Sequence, residues 1–193
     1  MEADWEVELG PDAPVLDALW SGWVDLRANP ERLAEVAEAA HFPPLGAALL
    51  ALNSANSPLW TAKCDLWHLR PAPDSAKPDP DDAADFDPDE LDADPAETAF
   101  ALACYLDCLP RAGTVFPTLA TAESWARTAV THLRAAHLRC CRADLVLRRA
   151  VATNADGLGI TTYLTACGPT EAPARQNLAQ ALAAFVQAAL TLQ

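Results

Sequence analysis

Three thiols and one imidazole offer the sharpest chemistry in this chain of 193 residues. Cys104 and Cys108 lie four residues apart, and so do His137 and Cys141. On a helix that spacing puts both members of a pair on one face. Two such helices facing each other would present three thiolates and an imidazole, a tetrahedral zinc set. None of the spacings is C-x-x-C, and cysteine is often only a small buried hydrophobe. A zinc or thiol-redox protein built on Cys104, Cys108, His137 and Cys141 is therefore the alternative reading, with zinc the one cofactor to consider.

Other chemistries are weaker. Cys64 and His68 would share a face of a strand but lie about 13 Å apart, beyond the reach of a nucleophile–base pair. None of the five serines sits in a G-x-S-x-G turn, and there is no glycine-rich phosphate loop. Asp85, Asp87, Asp89 and Asp92 have the look of a calcium loop. Glu90 stands where the turn needs glycine, however, and Ala96 where a bidentate Glu belongs.

Charge is distributed unevenly. The chain carries 27 acids against 13 bases, a formal charge of -14. Residues 71–97 hold 11 of those acids and one base, Lys77, with six of the 16 prolines. Like-charge repulsion and missing backbone donors disfavour a helix or central strand there. Residues 71–94 are expected to form a long acidic, Pro-rich loop joining two parts of one domain, 1–70 and 95–193. Further on, Arg127 to Arg149 contains six of the 11 arginines. The simplest account folds the acidic loop over this strip. Arg134, Arg139, Arg142 and Arg148 are otherwise a candidate anion site, because guanidinium forks suit phosphate and carboxylate; a small-molecule enzyme or binder built on that site is the second alternative.

Local pattern places these residues on elements. Trp5 to Leu9 alternates as a strand does, and Trp60 to Leu69 reads as another, with Trp60 inward and Trp67 outward. Helices are expected at Pro14–Leu26, from Asn29-Pro30 to about Ala40, on to about Leu52, from Pro95 to Leu109, and from Thr121 to about Arg139. Leu145–Thr153 and Leu158–Ala166 form a hairpin around Asn154-Ala155-Asp156-Gly157. Gly168-Pro169-Thr170 then opens a final helix. After Arg175 that helix carries no charged side chain, so it is either covered on both sides or a homodimer interface. The fold expected is α+β: a predominantly helical single domain with a small, mostly antiparallel sheet and a C-terminal hairpin followed by a helix. The stretch 145–190, with Gly168-x-Thr170 and Ala174-x-x-Asn177-Leu178-x-x-Ala181-Leu182, resembles the strand–strand–helix core of small antitoxin domains of the HicAB class. That resemblance covers less than a quarter of the chain and carries over no functional residue.

Composition excludes several classes. The acidic balance opposes nucleic acid and anionic lipid. No apolar run approaches a membrane span. The acidic N-terminal residues have no apolar core of a secretory signal, which points to a cytoplasmic setting with free thiols. The leading expectation is a soluble, non-enzymatic binding or adaptor protein of the inhibitor, immunity or accessory-factor type, meeting a basic protein partner. Trp67, Asp85, Asp87, Asp89 and Glu90 are the candidate partner-binding residues.

Overall fold

A computed structural model of the chain describes residues 1–70, 86–112 and 115–192. Among the described residues, six strands form one mixed sheet. They are β1 (Glu2–Glu8), β2 (Leu16–Asp17), β3 (Leu59–Leu69), β4 (Phe100–Pro110), β5 (Cys141–Ala152) and β6 (Ala155–Gly168). The order across the sheet is β1-β5-β6-β4-β3, and β2 also pairs with β5. β1 and β2 run parallel to β5 and share one of its edges; the other pairings are antiparallel.

The described α-helices, α1 (Ala37–His41), α2 (Pro43–Asn53), α3 (Leu119–Ala135) and α4 (Glu171–Thr191), pack on the sheet. Their core joins Leu45, Leu49 and Leu52 of α2, Ala126 and Leu133 of α3, and Leu178, Leu182 and Phe185 of α4 to one set of strand residues. That set includes Leu102, Cys104, Leu106 and Cys108 from β4, Leu145 and Leu147 from β5, and Ile160 and Leu164 from β6. Alternation along each strand sends the intervening side chains to the opposite face.

The expected predominance of helix over a small sheet is overturned. The largest reason is β4. Ala101 to Cys108 is nearly continuous in apolar residues, a pattern shared by a buried strand and a buried helix. Flanked by β3 and β6, the run lies in the sheet interior, and its backbone is satisfied by neighbours on both sides. The helix expected at Pro14–Leu26 is likewise absent; only Leu16–Asp17 is regular there, as an edge strand beside β5. Asn29-Pro30 opens a 3-10 turn (Pro30–Glu35) before the short α1.

Other expectations hold. The strand at Trp60–Leu69, the β5–β6 hairpin and the final helix with Thr170 as its N-cap are all present. α4 packs on β6 and β4 and lies between α2 and α3. Gln176, Gln180, Ala183 and Gln187 form its exposed line. The lack of charge after Arg175 thus goes with burial on several sides and an amide-rich outer line.

Candidate functional site

The helix premise behind the zinc set fails at both ends. Cys104 and Cys108 lie on β4, buried and facing the helices, and four residues of strand separate them by about 13 Å. α3 ends at Ala135, and His137 takes a left-handed conformation (φ 50°) just after the Ala136 cap, so His137 and Cys141 no longer share a helix. Cys141 opens β5. Among the described residues, no three His, Cys, Asp or Glu side chains converge as metal ligands. Burial pushes the Cys104 and Cys108 thiols far up and the Cys141 thiol up to about 12, which keeps them protonated.

Of the candidate anion-site arginines, Arg139, Arg142 and Arg148 are ion-paired within the chain, and Arg134 is tied to a backbone carbonyl. Arg134 donates to the Ala3 carbonyl, 2.8 Å away, tying α3 to β1. Arg139 meets Glu97 at 3.1 Å, Asp94 at 3.6 Å and Asp92 at 3.8 Å. Arg142 pairs with Asp144 at 2.8 Å and Glu90 at 3.4 Å. The described end of the acidic segment therefore folds over the basic strip, which is the simpler of the two accounts given for it. Asp87 accepts from the Asp89 backbone and caps a 3-10 turn (Pro88–Leu91), whose Leu91 is buried. Asp85 lies outside the described residues.

What the fold builds instead is a polar and aromatic plate on the sheet face away from the helices. Cross-strand register sets Tyr105 of β4 opposite Tyr163 of β6, and Asp107 opposite Thr161. Trp67, Tyr105 and Tyr163 form a row with ring centroids 6.2 and 6.0 Å apart. Trp67 reaches this row because a bulge interrupts the β3–β4 register between Thr61 and Lys63. Seven residues separate Trp60 from Trp67, which in a regular strand would place them on opposite faces. The extra residue returns both to the same one. The expected opposition of the two tryptophans is corrected accordingly, and Trp67 is half-buried.

A hydrogen-bonded chain crosses the plate. Arg148, whose side chain is only 12% exposed, pairs with Glu8 of β1 at 2.7 Å. It donates to the hydroxyls of Thr161 and Tyr163, each 3.1 Å away. Thr161 in turn donates to Asp107 at 2.7 Å. Burial opposes the Arg148 charge, but the bonds to Tyr163 and Glu8 outweigh it. Burial also raises the Asp107 carboxyl above its ordinary value, although Thr161, Arg148 and Lys63 pull it down. The Lys63 ammonium lies 5.8 Å from the Tyr105 ring centre, and the nearby Tyr105 favours its charged form, while burial pushes the Tyr105 phenol up and keeps it neutral.

The chain between β1 and α1 forms the rim. The Trp20 indole donates to the Ala62 carbonyl at the bulge, 2.9 Å away, and its ring lies 5.4 Å from the Lys63 ammonium. Gly22 sits against that ring, where a Cβ would collide with it. Below lies a cleft of about 330 Å³ lined by Val15, Trp20, Lys63, Tyr105, Asp107 and Tyr163, among others. Val15 (51% exposed), Leu19 (47%) and Trp20 (37%) leave apolar surface at or near its mouth. The cleft offers a cation and a carboxylate at fixed positions between aromatic walls.

Sequence reading named only Arg148 and Trp67 from this plate. Lys63, Tyr105, Asp107, Thr161, Tyr163 and Trp20 were missed. A signal was available: Tyr105 and Asp107 are the two polar side chains of an apolar run, spaced by two, as are Thr161 and Tyr163. Both pairs share a face once the runs are strands. Comparison of the chain with protein families, curated proteins and solved structures gave no match.

Proposed function

We propose that this chain is a binding protein of the adaptor, inhibitor, immunity or accessory type, and that it engages a basic protein partner through the open sheet face. The observation that carries this reading is the composition of that face. An aromatic row and an exposed apolar rim, Val15, Leu19 and Trp20, lie beside an acidic margin. Glu2, Asp4, Glu6 and Glu8 alternate along β1 with the inward Ala3, and Asp65, Asp107 and Asp144 add to them. Lys63, Arg142 and Arg148 are the bases set among them, and Arg142 and Arg148 are already paired. Aromatic anchors with a charged surround are the usual anatomy of a recognition surface. The acidic margin supplies attraction at a distance, and the cleft beside Asp107 accepts a protruding side chain.

No described helix is long and apolar enough to cross a membrane. The reading assigns no metal or cofactor, and it does not use a homodimer through α4. The deciding test places a photo-crosslinking amino acid at Trp67, Leu19 or Gln180 in turn within the full-length protein in its native cell. One and the same basic protein should be captured from Trp67 and Leu19 and not from Gln180. Capture from Gln180 alone, or a captured partner that is acidic, would refute the assignment of this face.

A further inference from the structure

Cys140 and Cys167 are neighbours at the open end of the β5–β6 hairpin. The β5–β6 ladder ends at the Cys141–Ala166 pair, and Cys140 just before it takes a left-handed conformation (φ 57°). The Cys167 amide still donates to the Cys140 carbonyl, 3.0 Å away, which holds the two residues side by side. A disulfide needs Cα atoms about 4.4–6.8 Å apart, a span that neighbours joined by one backbone hydrogen bond can meet. Both thiols lie in one small cluster with Leu91 and Ala101, apart from the main core. Both are free in the structure.

The cluster has a removable cover. Leu91, 1% exposed, caps it from the end of the acidic segment. The residues following Leu91 are held by the exposed ion pairs of Arg139 with Asp92, Asp94 and Glu97, and Arg142 holds Glu90. Exposed pairs of this kind are weak and screened by salt. Burial, with the nearby Glu97 carboxylate, raises the Cys140 thiol and keeps it protonated, with Arg139 opposing. With the cover closed, the pair is therefore slow to react.

The geometry points to Cys140 and Cys167 as a reversible dithiol–disulfide site, oxidised by peroxide and gated by the docking of Leu91. The chemistry balances with a hydroperoxide as oxidant. One thiolate attacks a peroxide oxygen, the O–O bond breaks, and a sulfenic acid and one water form from hydrogen peroxide. The second thiol then attacks the sulfenic sulfur, forms the S–S bond and releases a second water. Two thiols are oxidised and one peroxide is reduced. Cys141 does not compete, because it turns into the main core under α4, where its thiol donates to the Asn177 carbonyl.

The test uses the full-length protein and hydrogen peroxide, followed by alkylation of the remaining thiols and peptide mapping. The tryptic peptide Cys140-Cys141-Arg142 should appear linked to the peptide bearing Cys167. The link should persist in Cys141→Ala, vanish in Cys140→Ser and be reversed by dithiothreitol. It should form several-fold faster in Leu91→Ala and at high ionic strength. Thermal melts of each variant establish that it is folded. Free Cys140 and Cys167 thiols in peroxide-treated, folded wild-type protein would overturn the proposal, as would a link through Cys141 instead. An unchanged rate in folded Leu91→Ala would overturn the gating.

Discussion

At the scale of single residues, partial burial decides how the charged groups of the plate behave. Asp107 shows this with a sign that can be checked. Burial raises its carboxyl in the folded protein, so the native state binds a proton more readily than the unfolded chain does. The stability this group contributes is complete below the unfolded carboxylate range and is lost as pH rises through the folded value. At neutral pH the ionised side chain is thus a net cost, while an amide would keep the bond from Thr161. Asp107→Asn should be more stable than wild type in urea at neutral pH, with the gap closing toward about pH 4. A gap that stays constant across that range would exclude titration of Asp107 as its source. Arg148 behaves oppositely. It satisfies Glu8, Thr161 and Tyr163 at once, and truncating it leaves several groups without their partner. Arg148→Ala should cost about 2–3 kcal/mol by urea denaturation.

At the scale of elements, the sheet is held by its helix layer and by one exacting turn region. Phe185 of α4 is fully buried among the α2, α3 and strand residues, and Phe185→Ala should cost about 3–5 kcal/mol. Gly157 of β6 is a more local constraint. A Cβ there would sit 2.6 Å from the Phe116 carbonyl oxygen, next to the Phe116–Leu158 bridge. Backbone atoms yield little, so Gly157→Ala should lose about 1–3 kcal/mol and open the link from the 115–116 segment to the hairpin. An unperturbed melting curve would show that this contact is dispensable. The elements also show which patterns could be read. The hairpin, β3 and the N-cap at Thr170 follow from alternation, turn residues and a breaker, all local signals. β4 could not be read this way, because Ala, Leu and Cys fill both of its faces and leave no period. The same misreading hid Tyr105 and Asp107, whose common face exists only on a strand. The single-residue bulge in β3 was equally silent, and it alone brings Trp67 beside Tyr105.

At the scale of the whole molecule, the charge of -14 has a division of labour. The described end of the acidic segment is used internally, against Arg139 and Arg142, whereas Glu2, Asp4 and Glu6 of β1 and Asp65 of β3 face outward. Two measurements separate these uses. Arg139→Ala should leave global unfolding little changed but speed amide hydrogen exchange at residues 88–94, since it releases the cover without touching the main core. The proposed basic partner should associate far more slowly as ionic strength rises, if the outward acids steer the encounter. An association rate indifferent to salt would remove the steering role.

The sequence alone determined the α+β class, the hairpin and its following helix, the concentration of acid in residues 71–97 and the basic strip that answers it. Each of these is carried by near neighbours: period, capping, proline and like charge act within a few residues. Only the tertiary structure decided that β4 is a strand, that the four metal candidates stand apart, and that Cys140 meets Cys167. It also decided that Lys63, Tyr105, Asp107, Arg148, Thr161 and Tyr163 share one face. These depend on the register between segments distant in the chain, and pairing across β3, β4, β6, β5 and β1 fixes that register through backbone hydrogen bonds that carry no side-chain signature.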